Sequence, residues 1–79
     1  MAVKAYVLIV TDPGSTKSVF DALKRVDGVI ELHEVMGPYD IVAEIEVPSL
    51  ADVPAVLSGH IRIVPGIQNT TSLVTFPEP

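Results

Sequence analysis

The residues best suited to bind a small molecule stand in the short motif Gly37-Pro38-Tyr39-Asp40. A Gly-Pro pair predicts a turn, and a phenol and a carboxylate follow it directly. The open N–H groups of such a turn can bind the carboxylate of an amino acid, and the Asp40 carboxylate can bind its ammonium group. The motif can equally be structural, with Asp40 accepting hydrogen bonds from nearby backbone N–H groups. These residue types alone leave both interpretations open.

A second polar run lies near the C-terminus, inside a segment whose pattern is otherwise apolar. Its members are Gln68, Asn69, Thr70, Thr71 and Ser72. Because strand residues alternate between faces, Gln68, Thr70 and Ser72 are expected on one face and the other two on the opposite face. The run either complements the Gly37–Asp40 turn in a binding site or makes an edge strand polar, which protects a sheet edge from aggregation.

The sequence has no recognisable catalytic or metal-binding arrangement. The chain contains no cysteine, and its two histidines, His33 and His60, have neither the setting of a catalytic triad nor the spacing of a zinc site. Glu31 and His33 are expected to share a strand face, but two residues are too few to hold a metal. We therefore expect no enzymatic activity, no metal site and no cofactor.

Composition limits the classes of function. Residues 1–79 are predicted to form one domain with a frayed tail at residues 77–79, and 48% of the residues are hydrophobic. So small and apolar a domain is expected to bury surface between copies of itself. The net charge of −5 and the scattered Lys and Arg residues disfavour direct nucleic-acid binding. No apolar run approaches the ~20 residues that cross a bilayer, so a cytoplasmic location is expected.

The apolar pattern predicts the element order β-α-β-β-α-β. Strands are expected at Val3–Thr11, Val29–Met36, Tyr39–Val47 and Ile67–Phe76, with helices at residues 17–26 and from about Asp52 to the break at Pro65-Gly66. Ser15 or Thr16 is expected to cap the first helix, and Ser49 with Asp52 to form a capping box before the second. This order is typical of the ferredoxin-like α+β fold, a four-stranded antiparallel sheet with both helices on one face.

That fold leaves the second face of the sheet uncovered. Tyr6, Leu8 and Val10 of the first strand are expected there, in an apolar patch larger than soluble monomers usually expose. We therefore expect two copies to dimerise through these residues, face to face, as a dimeric α+β barrel. The hairpin around the Gly37–Asp40 turn is expected to join two inner strands.

Three stretches together are similar to the RAM domain, the effector-sensing and oligomerisation domain of the Lrp/AsnC transcriptional regulators. They are AYVLIVTDPG, VDGVIELHEVMGPYDIVAEIEV and IRIVPGIQNTTSLVTF. The most specific parts are the Gly-x-Tyr-Asp turn and the Pro-Gly-Ile that precedes a Thr-rich strand. The chain resembles most closely the stand-alone versions of this domain, which lack a DNA-binding part. Because the first strand is expected only a few residues after Met1, we expect that this chain does not read DNA by itself.

The resemblance implies a dimer through the open sheet faces, dimers that join into octameric or decameric rings, and amino-acid effectors bound between dimers. Carried onto this chain, the effector-binding residues are Met36, Gly37, Tyr39, Asp40, Gln68, Thr70 and Ser72. Met36 departs from the family pattern, in which a small or hydroxylated residue often precedes the glycine. The resemblance further implies indirect regulation of transcription, without DNA binding by this chain, in mixed assemblies with full-length Lrp/AsnC regulators.

Two other classes of function are compatible with the fold. The first is a small cofactor-independent enzyme of the dimeric α+β barrel type, which uses a cavity between the sheet and the helices. Such enzymes usually place His, Tyr, Asn or Arg in that cavity, whereas the helix-facing residues expected here are Ile41, Ala43 and Ile45. The second is a purely structural oligomer that binds no ligand.

Overall fold

The elements follow one another in the predicted order in the computed structural model, which describes residues 2–76. The strands are β1 (Val3–Thr11), β2 (Val29–Glu34), β3 (Ile41–Val47) and β4 (Ile67–Val74), and the helices are α1 (Thr16–Leu23) and α2 (Asp52–Val56), which continues as a π-helical segment (Leu57–Ile61). The strands pair antiparallel in the order β2-β3-β1-β4. The predicted ferredoxin-like fold is therefore confirmed, whereas the tail expected at residues 77–79 lies outside the described residues.

The hydrophobic core lies between the sheet and the helices, because every second strand residue points toward them. Its buried members are Ala5, Val7, Ile9, Val19, Leu23, Ile41, Ala43, Ile45, Val47, Val53, Leu57 and Ile61. The helix-facing side of β3 is thus apolar, as predicted. No helix in this described part is long and apolar enough to span a membrane.

The opposite face of the sheet carries Tyr6, Leu8 and Val10 of β1, as the alternation predicts. Leu73 of β4 pairs with Tyr6 across the strands and lies on the same face. Tyr6 is 38% exposed and Leu73 is more exposed still. On the other side of β1, Tyr6 pairs with Glu44 of β3, so this face changes from apolar to acidic toward β3. We call this face the open face.

Two features of the hairpin between β2 and β3 differ from the sequence-based expectation. The strands are shorter at the turn, since β2 ends at Glu34 and β3 begins at Ile41. Gly37 has φ of +142°, a value that glycine adopts readily and that interrupts a regular strand. The expectation of two inner strands is wrong, because β2 lies at the edge of the sheet and only β3 lies inside it.

The predicted helix caps are only partly formed. Ser15 precedes α1 without a side-chain capping bond, and the Thr16 hydroxyl bonds instead to the Thr11 hydroxyl at 2.7 Å. The predicted side-chain cap of α1 is therefore wrong, because the end of β1 offers Thr16 a closer partner. Before α2, the Asp52 carboxylate accepts hydrogen bonds of 3.1 Å from both the backbone N–H and the hydroxyl of Ser49. This is the carboxylate half of a capping box.

Candidate functional site

The predicted turn residues form a four-residue loop, Met36–Tyr39, between β2 and β3. The loop is closed by a hydrogen bond of 2.9 Å from the Val35 N–H to the Asp40 carbonyl. Met36 is fully exposed, whereas Tyr39 and Asp40 are half-buried against the sheet. The turn thus exposes the apolar side chain of Met36 fully to solvent, whereas the side chains of Tyr39 and Asp40 are partly shielded from it.

The Asp40 carboxylate is engaged with the end of β1. Its Oδ2 atom accepts a hydrogen bond of 2.8 Å from the Thr11 backbone N–H and one of 3.3 Å from the Thr11 hydroxyl. The Asp40 N–H donates to the Ile9 carbonyl at 2.8 Å. Asp40 therefore satisfies a backbone N–H, as the structural interpretation of the motif held, but its partner is distant in the chain. Any ligand contact of this carboxylate is additional to these bonds.

Thr11 is a residue of this region that the sequence reading missed. It is 5% exposed, and its hydroxyl lies between the Asp40 carboxylate and the Thr16 hydroxyl. A buried hydroxyl needs such partners, because burying it without a hydrogen bond is costly. Its only sequence signal is a threonine at the end of an otherwise apolar strand.

The polar run on β4 is split by a β-bulge. Thr70 pairs with Ile9 and Ser72 with Val7, so the two share one face, as predicted, and that face is the helix-facing one. The pairing shifts next to Thr11, and Gln68 becomes the extra residue. The strict alternation that predicted a common face for Gln68, Thr70 and Ser72 is therefore interrupted at Gln68. Its side chain instead donates to the Asp12 carboxylate at 2.8 Å.

A surface cleft of about 330 Å³ lies along the first half of β4. It is lined by Arg62, Ile67, Gln68, Asn69 and Thr70. We call it the β4 cleft. It brings together two of the predicted effector-binding residues, Gln68 and Thr70. Its lining includes neither the turn residues nor Ser72. The Ser72 hydroxyl is buried and has no hydrogen-bond partner among residues 2–76.

Arg62 is the second residue that the sequence reading missed. Its Nε–H donates to the Thr70 hydroxyl at 3.1 Å, which places a guanidinium group against the predicted site. The sequence could have drawn attention to it, because Arg62 is the only Lys or Arg that follows Arg25 in the sequence.

The turn and the β4 cleft lie at the same end of the sheet, on opposite sides of β1. Asp40 bonds to Thr11 on one side. On the other side, Asp12 accepts from Gln68 and donates its N–H to the Gly66 carbonyl at 2.7 Å. Two consecutive residues of β1 and its following turn thus connect the hairpin to the start of β4.

On the open face, Tyr6 lies beside a carboxylate. Glu44 is 8% exposed and raises the pKa of the Tyr6 phenol, first through hydrogen bonding and then through its negative charge, with a smaller electrostatic contribution from Glu31. Glu31 in turn lies 3.4 Å from the His33 imidazole, and both side chains are exposed. Within residues 2–76, no group of three His, Cys, Asp or Glu side chains is placed to hold a metal ion.

Comparison with known protein families matches residues 4–79 to the Lrp/AsnC ligand binding domain. An uncharacterized HTH-type transcriptional regulator of Pyrococcus furiosus is 31% identical over 75 residues, which make up 91% of this chain and 50% of that protein. The chain spans about half the length of the curated relatives it matches. These relatives are described as transcriptional regulators.

Several solved structures have the same fold. A protein of Thermus thermophilus superposes with a TM-score of 0.91 at 26% identity, and the match covers 98% of this chain and 96% of that one. The feast or famine regulatory protein of M. tuberculosis, solved in complex with L-methionine, has the same fold with a TM-score of 0.81 at 22% identity, over 96% of this chain and 51% of that one. The family match covers nearly all of the sequence, so the chain belongs to the Lrp/AsnC ligand-binding domain family.

Proposed function

We propose that this domain binds an amino-acid-like effector and takes part in the regulation of transcription through the assembly that it forms. The observation that carries the proposal is the β4 cleft, in which Gln68 and Thr70 lie against the guanidinium group of Arg62. A cavity of about 330 Å³ is at the lower end of the range that small-molecule sites occupy. The M. tuberculosis relative was solved with L-methionine, and amino acids are therefore the first ligand class to test.

The complete effector site in this proposal lies between two copies of the chain. The turn residues Met36, Gly37, Tyr39 and Asp40 do not line the β4 cleft of their own chain. A neighbouring copy that brings its turn over the cleft would add open N–H groups and a carboxylate to it. The full exposure of Met36 supports this arrangement, because a large apolar side chain gains from being covered by a partner. Ser72 does not line the cleft. It follows Thr70 on the same face of β4, and the proposal includes it on that ground.

The first level of assembly is a dimer formed by the open faces, with Tyr6, Leu8 and Val10 at its centre. Leu73 extends the same patch onto β4 and is 52% exposed in the single chain. Contiguous exposed apolar surface of this kind marks interaction sites. Dimers then combine into a closed ring, octameric or decameric, and mixed assembly with full-length family members would connect effector binding to DNA.

A binding role is favoured over the enzymatic alternative by the packing between sheet and helices. Ile41, Ala43 and Ile45 of β3 are 0% exposed there and carry no group that could transfer a proton. Contact of this domain with DNA is not part of the proposal, because the net charge of −5 repels phosphates. In this proposal residues 1–79 form one domain, and the assembly acts in the cytoplasm together with the regulators of its family.

Titration calorimetry with each of the twenty amino acids tests the proposal, with native mass spectrometry to count subunits before and after addition. We expect at least one amino acid to release saturable heat. Thr70→Val removes the hydroxyl that lines the cleft and accepts a hydrogen bond from Arg62. It should weaken amino-acid binding about three- to tenfold, because one hydrogen bond within the ligand site is lost.

The matched control is Thr75→Val, which removes a hydroxyl bonded to the Lys4 carbonyl, outside the residues that line the cleft. It should leave the affinity unchanged. If none of the twenty amino acids gives heat with the wild-type protein, the amino-acid form of the proposal is wrong.

A further inference from the structure

Within residues 2–76, Arg62 is bonded to a neutral hydroxyl, whereas Lys17 and Lys24 are paired with a carboxylate. Lys17 and Lys24 both lie within 3.5 Å of the Asp21 carboxylate. Within residues 2–76, no carboxylate lies within 4.0 Å of the Arg62 guanidinium, which bonds to a neutral hydroxyl on Thr70 instead. A guanidinium group has five N–H donors, and the bond to Thr70 uses only the one on Nε.

The backbone that carries Arg62 and the strand that carries its partner Thr70 are both held in place. Arg62 follows the π-helical segment Leu57–Ile61, and its N–H donates to the Leu57 carbonyl at 2.8 Å. Ile61, the preceding residue, is 0% exposed. Single π-helical turns occur frequently at functional sites. Thr70 is held by the pairing of β4 with β1, opposite Ile9. The Nε–Thr70 bond therefore joins two rigid elements and orients the rest of the guanidinium.

The remaining polar groups of the cleft are neutral amides. Asn69 Oδ1 accepts the Thr70 N–H at 3.0 Å, and Gln68 donates to Asp12, so both side chains are positioned by the protein. Arg62 is the only charged residue among the five that line the cleft. One positive charge surrounded by amides favours a single anion, and a planar carboxylate matches the fork of a guanidinium with two parallel hydrogen bonds.

We propose that Arg62 is the carboxylate-recognising residue of the β4 cleft and thereby determines which ligands it accepts. Its two Nη groups bind both oxygens of a ligand carboxylate, end on, while the Nε–H stays on Thr70. The inference rests on the proposed function, which it deepens by naming the chemical group that is bound here. Small monocarboxylates enter the cleft, whereas the corresponding amides bind poorly because their NH₂ group meets N–H donors.

Two-dimensional ¹H–¹⁵N NMR of the full chain tests this directly, with sodium acetate as the probe and sodium chloride at equal ionic strength as the reference. We expect acetate to shift the Arg62 Nε–H and Thr70 N–H signals along a saturable curve. The Thr70 response should be lost in Arg62→Gln and kept in Arg25→Gln, which removes an exposed arginine outside the cleft. Unchanged spectra elsewhere show that each variant is folded.

The second arm compares L-methionine with L-methioninamide by calorimetry. We expect L-methionine to bind about tenfold or more weakly to Arg62→Gln than to the wild type, because a charged hydrogen-bonding partner is lost. Binding of the amide should be weak and insensitive to the substitution. If L-methionine does not bind, any amino acid found in the screen of twenty and its amide take this place.

The outcomes separate the two proposals. Amino-acid binding that is equal in Arg62→Gln and wild type, or an acetate response no different from that of chloride, overturns the role of Arg62 and leaves the proposed function standing. Saturable acetate binding at Arg62 without binding of any of the twenty amino acids supports the carboxylate site and contradicts the amino-acid effector.

Discussion

The Asp40 carboxylate accepts a 2.8 Å hydrogen bond from the backbone N–H of Thr11, a residue 29 positions earlier in the chain. This bond joins the β2–β3 turn to the end of β1. The next residue, Asp12, bonds to Gln68 at the start of β4. The proposed effector turn and the β4 cleft are therefore parts of one hydrogen-bonded end of the sheet and share the end of β1.

Removing the Asp40 acceptor should destabilise the fold. Asp40→Ala leaves the nearly buried Thr11 N–H without its acceptor, while the Thr11 hydroxyl keeps its bond to the Thr16 hydroxyl. We expect a loss of about 1–3 kcal/mol in the free energy of unfolding. Asp40→Asn keeps an oxygen acceptor and should lose less. Denaturant unfolding followed by circular dichroism measures both.

The matched control for Asp40 is Asp27→Ala, which removes an exposed carboxylate next to Gly28. Its stability should stay within about 0.5 kcal/mol of the wild type. Equal unfolding midpoints for Asp40→Ala and Asp27→Ala would contradict a structural role of the Thr11–Asp40 bond.

Gly66 should tolerate no side chain. Its φ of +99° is unfavourable for other residues, and an added Cβ would lie 2.8 Å from the Ser15 Cβ at the start of α1. We expect Gly66→Ala to lower the free energy of unfolding by about 2 kcal/mol or more, since strain and overlap add. Gly59→Ala is the control, because an added Cβ meets nothing within 4 Å there. Thermal unfolding should rank the two variants clearly, and a Gly66→Ala midpoint at or above that of Gly59→Ala would refute the close approach.

The Tyr6 phenol should ionise above its ordinary pKa of 10.0. In the variant Tyr39→Phe, Tyr6 is the only tyrosine, so its ionisation can be followed by ultraviolet absorbance of the phenolate. The raised pKa means that the folded state favours the neutral phenol. This contribution to stability is fully present below the pKa of the unfolded chain and is lost as pH rises through the folded pKa.

Glu44→Gln in the Tyr39→Phe background tests the cause of that shift. It removes the negative charge beside Tyr6, and we expect the pKa of the phenol to move down toward its ordinary value. Glu34→Gln serves as the control, because Glu34 pairs with Ile41 on the other side of the sheet. An identical titration curve in the Glu44 and Glu34 variants would show that Glu44 is not responsible.

A charge on the open face should break the proposed dimer without unfolding the chain. Leu8 lies at the centre of this face and is only partly buried in the single chain, so Leu8→Asp should give monomers where the wild type gives dimers or larger rings. Size-exclusion chromatography with light scattering measures the subunit number. Leu50→Asp is the control, since Leu50 is 61% exposed and lies outside the strands, just before α2. An unchanged subunit number in Leu8→Asp would place the interface elsewhere.

Much of the fold is readable from local patterns. The alternation of Ala5, Val7 and Ile9 with Tyr6 and Leu8 predicted both faces of β1, since successive strand side chains point in opposite directions. In the second helix, Val53, Leu57 and Ile61 recur at the i, i+4 and i+8 spacing of one helix face, and all three are buried. The turn at Gly37 was also expected, because glycine and proline restrict or permit backbone angles locally.

The candidate site was only partly readable. Thr70 and Ser72 were predicted on one face and lie on one face, whereas the sequence did not reveal the bulge at Gln68, whose position depends on how β4 pairs with β1. Arg62 was missed because its contact with Thr70 depends on how the chain turns from the end of the helical segment into β4.

The sequence by itself determined the order of the elements, their buried faces and the family, because each of these depends on periodicity and motifs within a few residues of one another. Only the tertiary structure decided that Asp40 bonds to Thr11 and that Arg62 bonds to Thr70. The physical reason is that a side chain's hydrogen-bond partner is set by strand order, register and packing, which bring together groups that are distant in the chain.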